Sequence, residues 1–554
     1  MKNKQQNRRL LLVIPLIFLA LFYFYPLIKI FLVSFFPSGA WNPDKLRQLF
    51  SSGIYGRIIW FTTWQALLST ILTLLFALPG SYIFARYNFI GKKILQALMT
   101  IPFVLPTVVT AAAFRALLGH NGLLNSWLIN IFNLDTQPIQ INQTICFFLL
   151  AHIFYNYTLV LRIVGNFWAG INPNIRAAAT MLGASPSKTF FKITLPLLMP
   201  AIGSAAILVF IFCFTSFGVI LILGGPGHAT IEVEIYRQAV QFFNLPMAAI
   251  LSLIQIIINF FLMWLHARLT EKSKIPFFGD SADHTAIRAK NSWQQAAIFI
   301  NILFMTILLI TPLLALFIKS LSSSDGPTLS YYYALFTPQL DSVFSVPPII
   351  AIRNSVAFGL TTMLLSVTLG ILAATYLAAD NHRNKSLWDA LIMLPLATSA
   401  VTLGFGYIIT LNTPPLNLRN SLALIPIAHS LVAFPFVIRC ILPGLKQIPS
   451  NLGEAATMLG ASPFRVWYYV DLPMIKKSVI VGGIFAFAIS MGEFGASTFV
   501  TRPHTATMPV AIFRFLSQPG ELNYGQAMAM SSILMLVTSL AFLLIGRMDF
   551  SETG

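Results

Sequence analysis

Long apolar stretches alternate with short polar segments along this whole chain. Each stretch is apolar all round, whereas a helix of a soluble protein keeps one polar face, so a soluble helical protein is disfavoured. About 20 apolar residues in a helix suffice to cross the hydrocarbon layer of a bilayer. The pattern predicts an all-α membrane protein with about twelve transmembrane helices, at approximately 10–36, 58–85, 94–118, 144–169, 197–223, 247–267, 296–319, 355–379, 388–411, 421–442, 478–500 and 526–547.

The twelve predicted helices form two groups of six that repeat each other. His152 aligns with His429, and Phe217 with Phe494, at one offset of 277 positions. An even number of helices in each group means that both groups enter the membrane in the same sense, which is a parallel repeat. We therefore predict a first half at residues 1–267, a cytoplasmic linker at 268–295 and a second half at 296–554.

Composition supports the membrane assignment. The chain is 57% hydrophobic and 9% charged, against about 25% charged for an ordinary soluble domain. Its net charge of +18 lies mainly between the apolar stretches, and the segment 119–143 has no Lys or Arg. This asymmetry follows the positive-inside rule and places both termini in the cytoplasm. We expect a lipid bilayer as partner and no nucleic acid. The three cysteines (Cys146, Cys213 and Cys440) show no metal or redox spacing, so we expect them to pack.

A polar motif occurs once in each half, on the predicted cytoplasmic side. The segments 174–196 and 451–473 share an uninterrupted AATMLGASP. Asn174 and Asn451 are predicted to cap a first short helix, with Glu454 completing a capping box. Gly183 and Gly460 suit the left-handed residue that ends that helix. The two Ser-Pro pairs that follow, at 185–186 and 462–463, are predicted to begin a second helix that leads into the next span.

This motif resembles the E-A-A, three residues, G, nine residues, I-x-L-P pattern of permease subunits of binding-protein-dependent ABC importers with the type I fold. The matching residues are Ala178, Ala179, Gly183, Ile193, Leu195 and Pro196 in the first copy, and Glu454, Ala455, Ala456, Gly460, Leu472 and Pro473 in the second. The first copy departs at Ala177, where an acidic residue is expected, and the second has Val470 for Ile. The length and fusion resemble the ferric-iron and thiamine permeases.

The resemblance implies a location in the bacterial inner membrane and two protein partners. These are a homodimeric ABC ATPase on the cytoplasmic face, which the duplicated motif would contact, and a solute-binding protein on the outer face. The implied function is import of ferric iron or thiamine. This chain has no P-loop, so ATP and magnesium are expected on the ATPase; we expect no cofactor, no metal site and no enzymatic activity in this chain. Because Ala177 lacks the charge of Glu454, we expect unequal docking of the two motifs.

Four residues are candidates for the translocation pathway. Glu493 is predicted inside the eleventh span, with Ser216 as its repeat partner. A carboxylate at membrane depth either lines a water-filled path or bonds to a neighbouring helix. His152 and His429 either contact the solute or hydrogen-bond between helices. The sequence leaves both alternatives open.

The competing functional class is an ion-coupled secondary transporter with two parallel six-helix halves. Such a protein would need ion-coupling acids within its spans, and Glu493 is the one acidic residue placed well inside a predicted span. Uptake driven by an ion gradient without ATP would favour that class.

Overall fold

Helices account for almost all of the fold. The computed structural model of the 554-residue chain describes residues 2–37, 39–42, 44–273, 287–289, 291–337, 346–378, 385–412, 414 and 416–550. Within these residues, ten helices are long and apolar enough to cross a membrane, or eleven if one bent pair counts as a single span. The predicted count of twelve is not confirmed, while the all-α membrane fold is.

The first half runs from α1 to α14. Its α-helices are α1 (Lys2–Leu19), α2 (Tyr25–Phe35), α3 (Asp44–Ser51), α4 (Gly53–Arg86), α5 (Lys92–Val104), α6 (Thr107–Leu118), α7 (Leu123–Phe132), α8 (Ile145–Ala169), α9 (Pro173–Met181), α10 (Pro186–Thr189), α11 (Leu195–Phe214), α12 (Gly218–Leu223), α13 (Ile231–Tyr236) and α14 (Leu245–Ser273). A π-helical turn at Ala20–Phe24 joins α1 to α2, and another at Phe190–Thr194 joins α10 to α11. A third, at Arg237–Gln241, extends α13.

The second half repeats this order with α15 to α26. Its α-helices are α15 (Ser292–Ser320), α16 (Ser330–Tyr333), α17 (Ile349–Ala378), α18 (Lys385–Met393), α19 (Ala400–Thr410), α20 (Leu424–Gln447), α21 (Ser450–Met458), α22 (Pro463–Val466), α23 (Leu472–Gly492), α24 (Gly495–Val500), α25 (Met508–Leu516) and α26 (Glu521–Phe550). A π-helical turn at Trp467–Asp471 joins α22 to α23, and 3-10 turns lie at Leu394–Ala397 and Pro503–Thr505.

The predicted third span of each half is broken rather than continuous. In the first half α5 ends before Leu105, whose backbone is extended because the following Pro106 disfavours the helical conformation there. In the second half the helical segments 387–397 and 400–410 meet at 91°. The Ser399 side chain caps the second segment by accepting from the backbone N–H of Val401. The segments 94–118 and 388–411, each predicted as one span, are therefore not continuous helices.

The predicted fifth span of each half is also interrupted. In the first half the helix stops at Phe214 and a short helix begins at Gly218. In the second half it stops at Gly492 and resumes at Gly495. The fifth spans predicted at 197–223 and 478–500 are present as Pro186–Phe214 and Pro463–Gly492. Each ends earlier than predicted, because apolar composition alone does not register a break of two or three residues.

The two halves exchange contacts through their first helices. From the first half, α1 packs against α17 and α2 packs against α19. From the second half, α15 packs against α6 and also against its own α26. Each half therefore completes part of the other's surface. The domain boundaries read from the repeat stay a prediction.

The linker and the segments between the predicted spans contain ordered structure. The end of the linker forms β2 (Ile287–Arg288), which pairs in parallel with β1 (Tyr87–Asn88); β3 (Ser322–Ser323) and β4 (Gly326–Pro327) form a small antiparallel pair. Linker residues 274–286 lie outside the described residues. The segments 224–238 and 501–515, which align in the repeat, contain the buried helices α13 and α25.

Candidate functional site

The first copy of the duplicated motif folds as two helices joined by a tight turn. α9 begins after Asn172, whose side chain accepts a hydrogen bond from the backbone N–H of Asn174 at 2.9 Å. Gly183 ends it with φ of +79°, a conformation that favours glycine. Ser185 then caps α10 by accepting from the Lys188 N–H at 3.3 Å. The left-handed glycine and the Ser-Pro start are confirmed, but the cap is Asn172 rather than Asn174.

The second copy has the same geometry with a different start. α21 begins at Ser450 after Pro449, with no side-chain cap. The capping box predicted for Asn451 and Glu454 is wrong, because both residues lie inside the helix. Gly460 has φ of +84°, and the Ser462 side chain accepts from the Arg465 N–H at 3.4 Å, as predicted.

Both turns present a bare apolar pair to the surroundings. Met181 and Leu182 are 89% and 88% exposed, and Met458 and Leu459 are 90% and 88% exposed. Large apolar side chains left exposed at equivalent places in two repeats mark a surface for another protein. The other motif residues are mostly exposed as well, although Ala179 is buried.

The two motifs differ in charge. The first carries Arg176, Lys188 and Lys192 and no acidic residue, whereas the second carries Glu454 and Asp471 with Arg465. Glu454 and its repeat partner Ala177 are both exposed. Partial burial, together with the nearby Arg86 guanidinium, lowers the pKa of Arg176. A partner protein therefore meets a basic surface at one motif and a more acidic one at the other.

Each motif is joined without interruption to the broken fifth span of its half. Residues 186–214 form one helical rod of 29 residues, and residues 463–492 form one of 30. At the helical rise these rods are about 43 and 45 Å long. The π-helical turns at Phe190–Thr194 and Trp467–Asp471 lie within the rods and do not break them. Each rod therefore connects its motif to the break of the same half.

The breaks of the two halves meet at a pair of aromatic rings. Phe217 and Phe494, which are repeat partners, stack with centroids 5.3 Å apart and ring planes at 23°. A Cβ on Gly218 would lie 2.5 Å from Thr107 Oγ1 and 3.1 Å from Phe494 Cδ1. A Cβ on Gly492 would lie 3.2 Å from Pro106 Cγ in the other half. The broken helices therefore close the space between the halves by direct contact.

His152 connects the break of the first half to helix α4 through hydrogen bonds. It is buried, with Nδ1 2.9 Å from Ser69 Oγ on α4 and Nε2 2.9 Å from Ser216 Oγ at the break. Each ring nitrogen thus has a protein partner. The structure therefore gives this histidine the interhelical hydrogen bonds that were one of its two alternatives.

His429 occupies the equivalent position in a larger network. Its Nδ1 lies 2.7 Å from Ser490 Oγ, which bonds to Thr362 on α17, and its Nε2 lies 2.8 Å from Ser497 Oγ. Glu493 lies within 3.5 Å of the same nitrogen. Glu493 is at the break, not inside a helix: its carboxyl oxygens accept from the backbone N–H groups of Ala496 and Ser497, at 3.0 Å each. It acts as a cap for α24, and the prediction that it lies inside the eleventh span is wrong.

The Glu493 cap predicts unequal effects of matched substitutions at the two breaks. Glu493→Ala removes a buried acceptor from two backbone N–H groups and is expected to destabilise the protein by about 2–4 kcal/mol. Ser216→Ala removes one hydrogen bond, at about 1 kcal/mol. The measurement is the apparent melting temperature of the purified protein in detergent. Equal shifts for the two variants would contradict the capping role.

Two buried carboxyl groups were missed by the sequence reasoning. Glu232 bonds to Gln255 of α14, and Glu234 accepts from Gln238 Nε2 at 2.7 Å. Both lie on α13. Their apolar repeat partners, Pro509 and Ala511, were the available signal that these positions face the interior. Within the described residues no group of three or more His, Cys, Asp or Glu side chains is placed to hold a metal ion.

Comparison with known proteins agrees with this architecture. Residues 77–274 match the family described as binding-protein-dependent transport system inner membrane component. The thiamine transport system permease protein ThiP of Brucella abortus is 26% identical over 84% of this chain and 84% of its own length. The corresponding Escherichia coli protein is 24% identical over 92% of each chain.

A second named function occurs among the relatives. The ferric transport system permease protein FbpB of Actinobacillus pleuropneumoniae is 25% identical over 94% of this chain and 75% of its own length. A solved chain of a bacterial ABC transporter involved in import of the acidic polysaccharide alginate aligns with 49% of this chain and 96% of its own, at 18% identity and a TM-score of 0.42.

The relatives match across most of the chain, and both of its halves carry the duplicated motif on equivalent helices. A secondary transporter is not favoured by these matches. Proteins of the matched family are components of the inner membrane that depend on a binding protein. The chain is therefore a permease of the binding-protein-dependent ABC importers, with its two halves fused in one polypeptide.

Proposed function

We propose that this permease imports thiamine, with ferric iron as the second candidate. Thiamine is supported by several relatives named thiamine permeases, which align with most of the chain. Ferric iron is supported by the ferric permease that aligns with 94% of it. We also propose that both termini and both motifs lie on the cytoplasmic side of the membrane, as the distribution of Lys and Arg predicts.

The motor in this proposal is a homodimeric ABC ATPase that hydrolyses ATP on its own subunits. One ATPase subunit docks on α9 and the other on α21, and each covers one exposed Met-Leu pair. The observation that carries the proposal is the unbroken rod in each half, which begins just after the turn that holds the exposed pair and ends at the break beside the Phe217–Phe494 contact. Closure of the ATPase on ATP would move both rods and separate the rings, so that solute enters from the binding protein on the outer face.

Glu493, Ser216, His152 and His429 have a supporting role in this mechanism. Their hydrogen bonds hold the broken ends of the rods in place. The contact between Phe217 and Phe494 is called the gate below. We propose that these four residues set the geometry of the gate, and that they do not bind the solute while the gate is closed. In the same proposal the two duplicated motifs transmit movement of the ATPase, and they are called the coupling motifs below. Their shape is set by Ala178, Ala179, Gly183, Leu195 and Pro196 in the first copy, and by Ala455, Ala456, Gly460, Leu472 and Pro473 in the second.

Reconstitution tests this function directly. The chain is placed in proteoliposomes with the ATPase inside and a thiamine-loaded binding protein outside. We expect thiamine uptake that requires ATP and ceases with a non-hydrolysable analogue. Uptake with ferric-loaded binding protein alone would move the assignment to iron. Uptake driven by an ion gradient without ATP would overturn the proposal.

Docking of the two motifs is expected to be unequal. Glu454→Ala removes a charge offered to a basic residue of the ATPase, and loss of one member of an interface charge pair costs 2 kcal/mol or more. We expect ATP-driven uptake to fall about tenfold or more. The matched variant Ala177→Ser, at the repeat position, is expected to retain uptake. Equal losses in the two variants would contradict the inequality.

A further inference from the structure

Two adjacent phenylalanines stand exposed at the start of α14. Phe242 is 64% and Phe243 is 79% exposed. In the proposed orientation this end of α14 faces the outside. Their repeat partners at the start of α26 are Pro519 and Gly520, so an aromatic pair is present on one half alone.

The backbone at this pair is in a conformation that phenylalanine disfavours. Phe243 has φ of +53°, while Gly520 at the equivalent position has φ of +108°. A bulky residue with positive φ persists only where its surroundings impose it, and such residues cluster at functional sites. A π-helical turn at Arg237–Gln241, also a frequent mark of functional sites, immediately precedes the pair.

A chain of hydrogen bonds, one of them buried and the next partly buried, supports this conformation. Gln238 Nε2 donates to Glu234 Oε1 at 2.7 Å, and Asn244 Nδ2 donates to Gln238 Oε1 at 3.0 Å. The backbone N–H of Asn244 donates to the carbonyl of Gln238 at 2.7 Å. In the second half the equivalent residues are Ala511, Phe515 and Glu521, which cannot form the same chain. The exposed pair is therefore held by polar contacts specific to the first half.

The same segment contacts the gate. Tyr236, at the end of α13, packs its ring 5.6 Å from Phe217 and 5.8 Å from Phe499 of the second half. Phe217 in turn stacks on Phe494. One π-helical turn separates Tyr236 from Phe242. The short segment 236–243 therefore connects the exposed phenylalanine pair to aromatic residues of both halves at the gate.

We propose that Phe242 and Phe243 form a docking knob that inserts into an apolar pocket of the solute-binding protein. This rests on the proposed outer orientation of α14. Apolar aromatic anchors that fill a pocket dominate binding at protein interfaces. A lipid contact would not need a fixed backbone, and the aromatic residues enriched at membrane surfaces are Trp and Tyr, whose polar tips Phe lacks. Docking would press on α13 and thereby signal to the gate that loaded binding protein is present.

The test measures affinity of the loaded binding protein for the complete importer in nanodiscs. The probe is the thiamine- or iron-binding protein that supports ATP-driven uptake in the reconstitution above. Phe242→Ala combined with Phe243→Ala is expected to weaken binding at least tenfold. Gln238→Ala, which keeps both rings but removes their support, is expected to weaken it about threefold. The matched control Phe299→Ala removes an equally exposed ring from α15 and is expected to keep full affinity.

A crosslinking experiment covers the case in which the alanine variants do not fold. Phe243 is replaced with the photoreactive p-benzoylphenylalanine, which preserves an aromatic ring. Crosslinks to the binding protein would support the knob, whereas crosslinks to lipid alone would overturn it. Unchanged affinity in the double-alanine variant would also overturn it. Either negative result would reject the docking knob alone. The proposed function is tested separately, by ATP-driven uptake in the reconstituted importer.

Discussion

Met458→Glu combined with Leu459→Glu is expected to abolish ATP-driven uptake, and so is Met181→Glu combined with Leu182→Glu. Each pair is about nine-tenths exposed at the tip of a coupling motif. If an ATPase subunit covers the pair, the substitution places two charges in an apolar contact. Truncation of one central interface residue commonly costs 2–4 kcal/mol, so two buried charges should reduce affinity for the ATPase by at least about a hundredfold.

The measurement is co-purification of the ATPase with the permease, followed by uptake in proteoliposomes. Ile90→Glu is the control, because Ile90 is a fully exposed apolar residue outside both motifs on the same predicted side. That variant is expected to retain ATPase and uptake. If a motif variant binds the ATPase as tightly as the unsubstituted permease does, the motifs are not part of the interface with the ATPase.

Phe217→Ala combined with Phe494→Ala is expected to uncouple ATP hydrolysis from the binding protein. The stacked rings form the contact between the broken fifth spans of the two halves. Loss of a packed Phe side chain costs 3–5 kcal/mol, and an aromatic pair adds about 1 kcal/mol. The closed arrangement should therefore lose several kcal/mol relative to the open one, where the rings are already apart.

The readout is ATP hydrolysis by the reconstituted importer without binding protein, together with passive solute leak. We expect hydrolysis to rise about tenfold or more and leak to appear. Phe210→Ala serves as the control, because Phe210 stacks with Phe214 inside one half at 5.8 Å. A double variant that stays tight and remains dependent on the binding protein would contradict the assignment of this contact as the gate.

The local geometry of the coupling motifs was largely predictable from sequence. Gly183 and Gly460 adopt the left-handed conformation, and the two Ser-Pro pairs begin helices, because these preferences are set by residues close in sequence. Both helix starts were misplaced by two residues. Asn172 caps the first helix, and the sequence NPN offers two asparagines between which local preference does not decide.

The site at the breaks of the two fifth spans was not predictable in the same way. Apolar composition identified the spans but not their breaks, since Glu493 looks like a charge within a helix until its carboxyl group is seen to cap the next one. The repeat alignment did bring Phe217 and Phe494 into register. Their stacking depends on the packing of one half against the other, which no local pattern encodes.

The central claim is that movement of the coupling motifs opens the aromatic contact between the halves. It is tested by Tyr236→Cys with Phe499→Cys, whose rings lie 5.8 Å apart across the two halves and whose replacement leaves the Phe217–Phe494 stack in place. The three natural cysteines are replaced, and the protein is treated with a short bismaleimide in proteoliposomes. We predict efficient crosslinking between the halves in the nucleotide-free importer. We predict little crosslinking once ATP, vanadate and loaded binding protein trap the ATPase in its closed state. Equal crosslinking in both states would contradict the account.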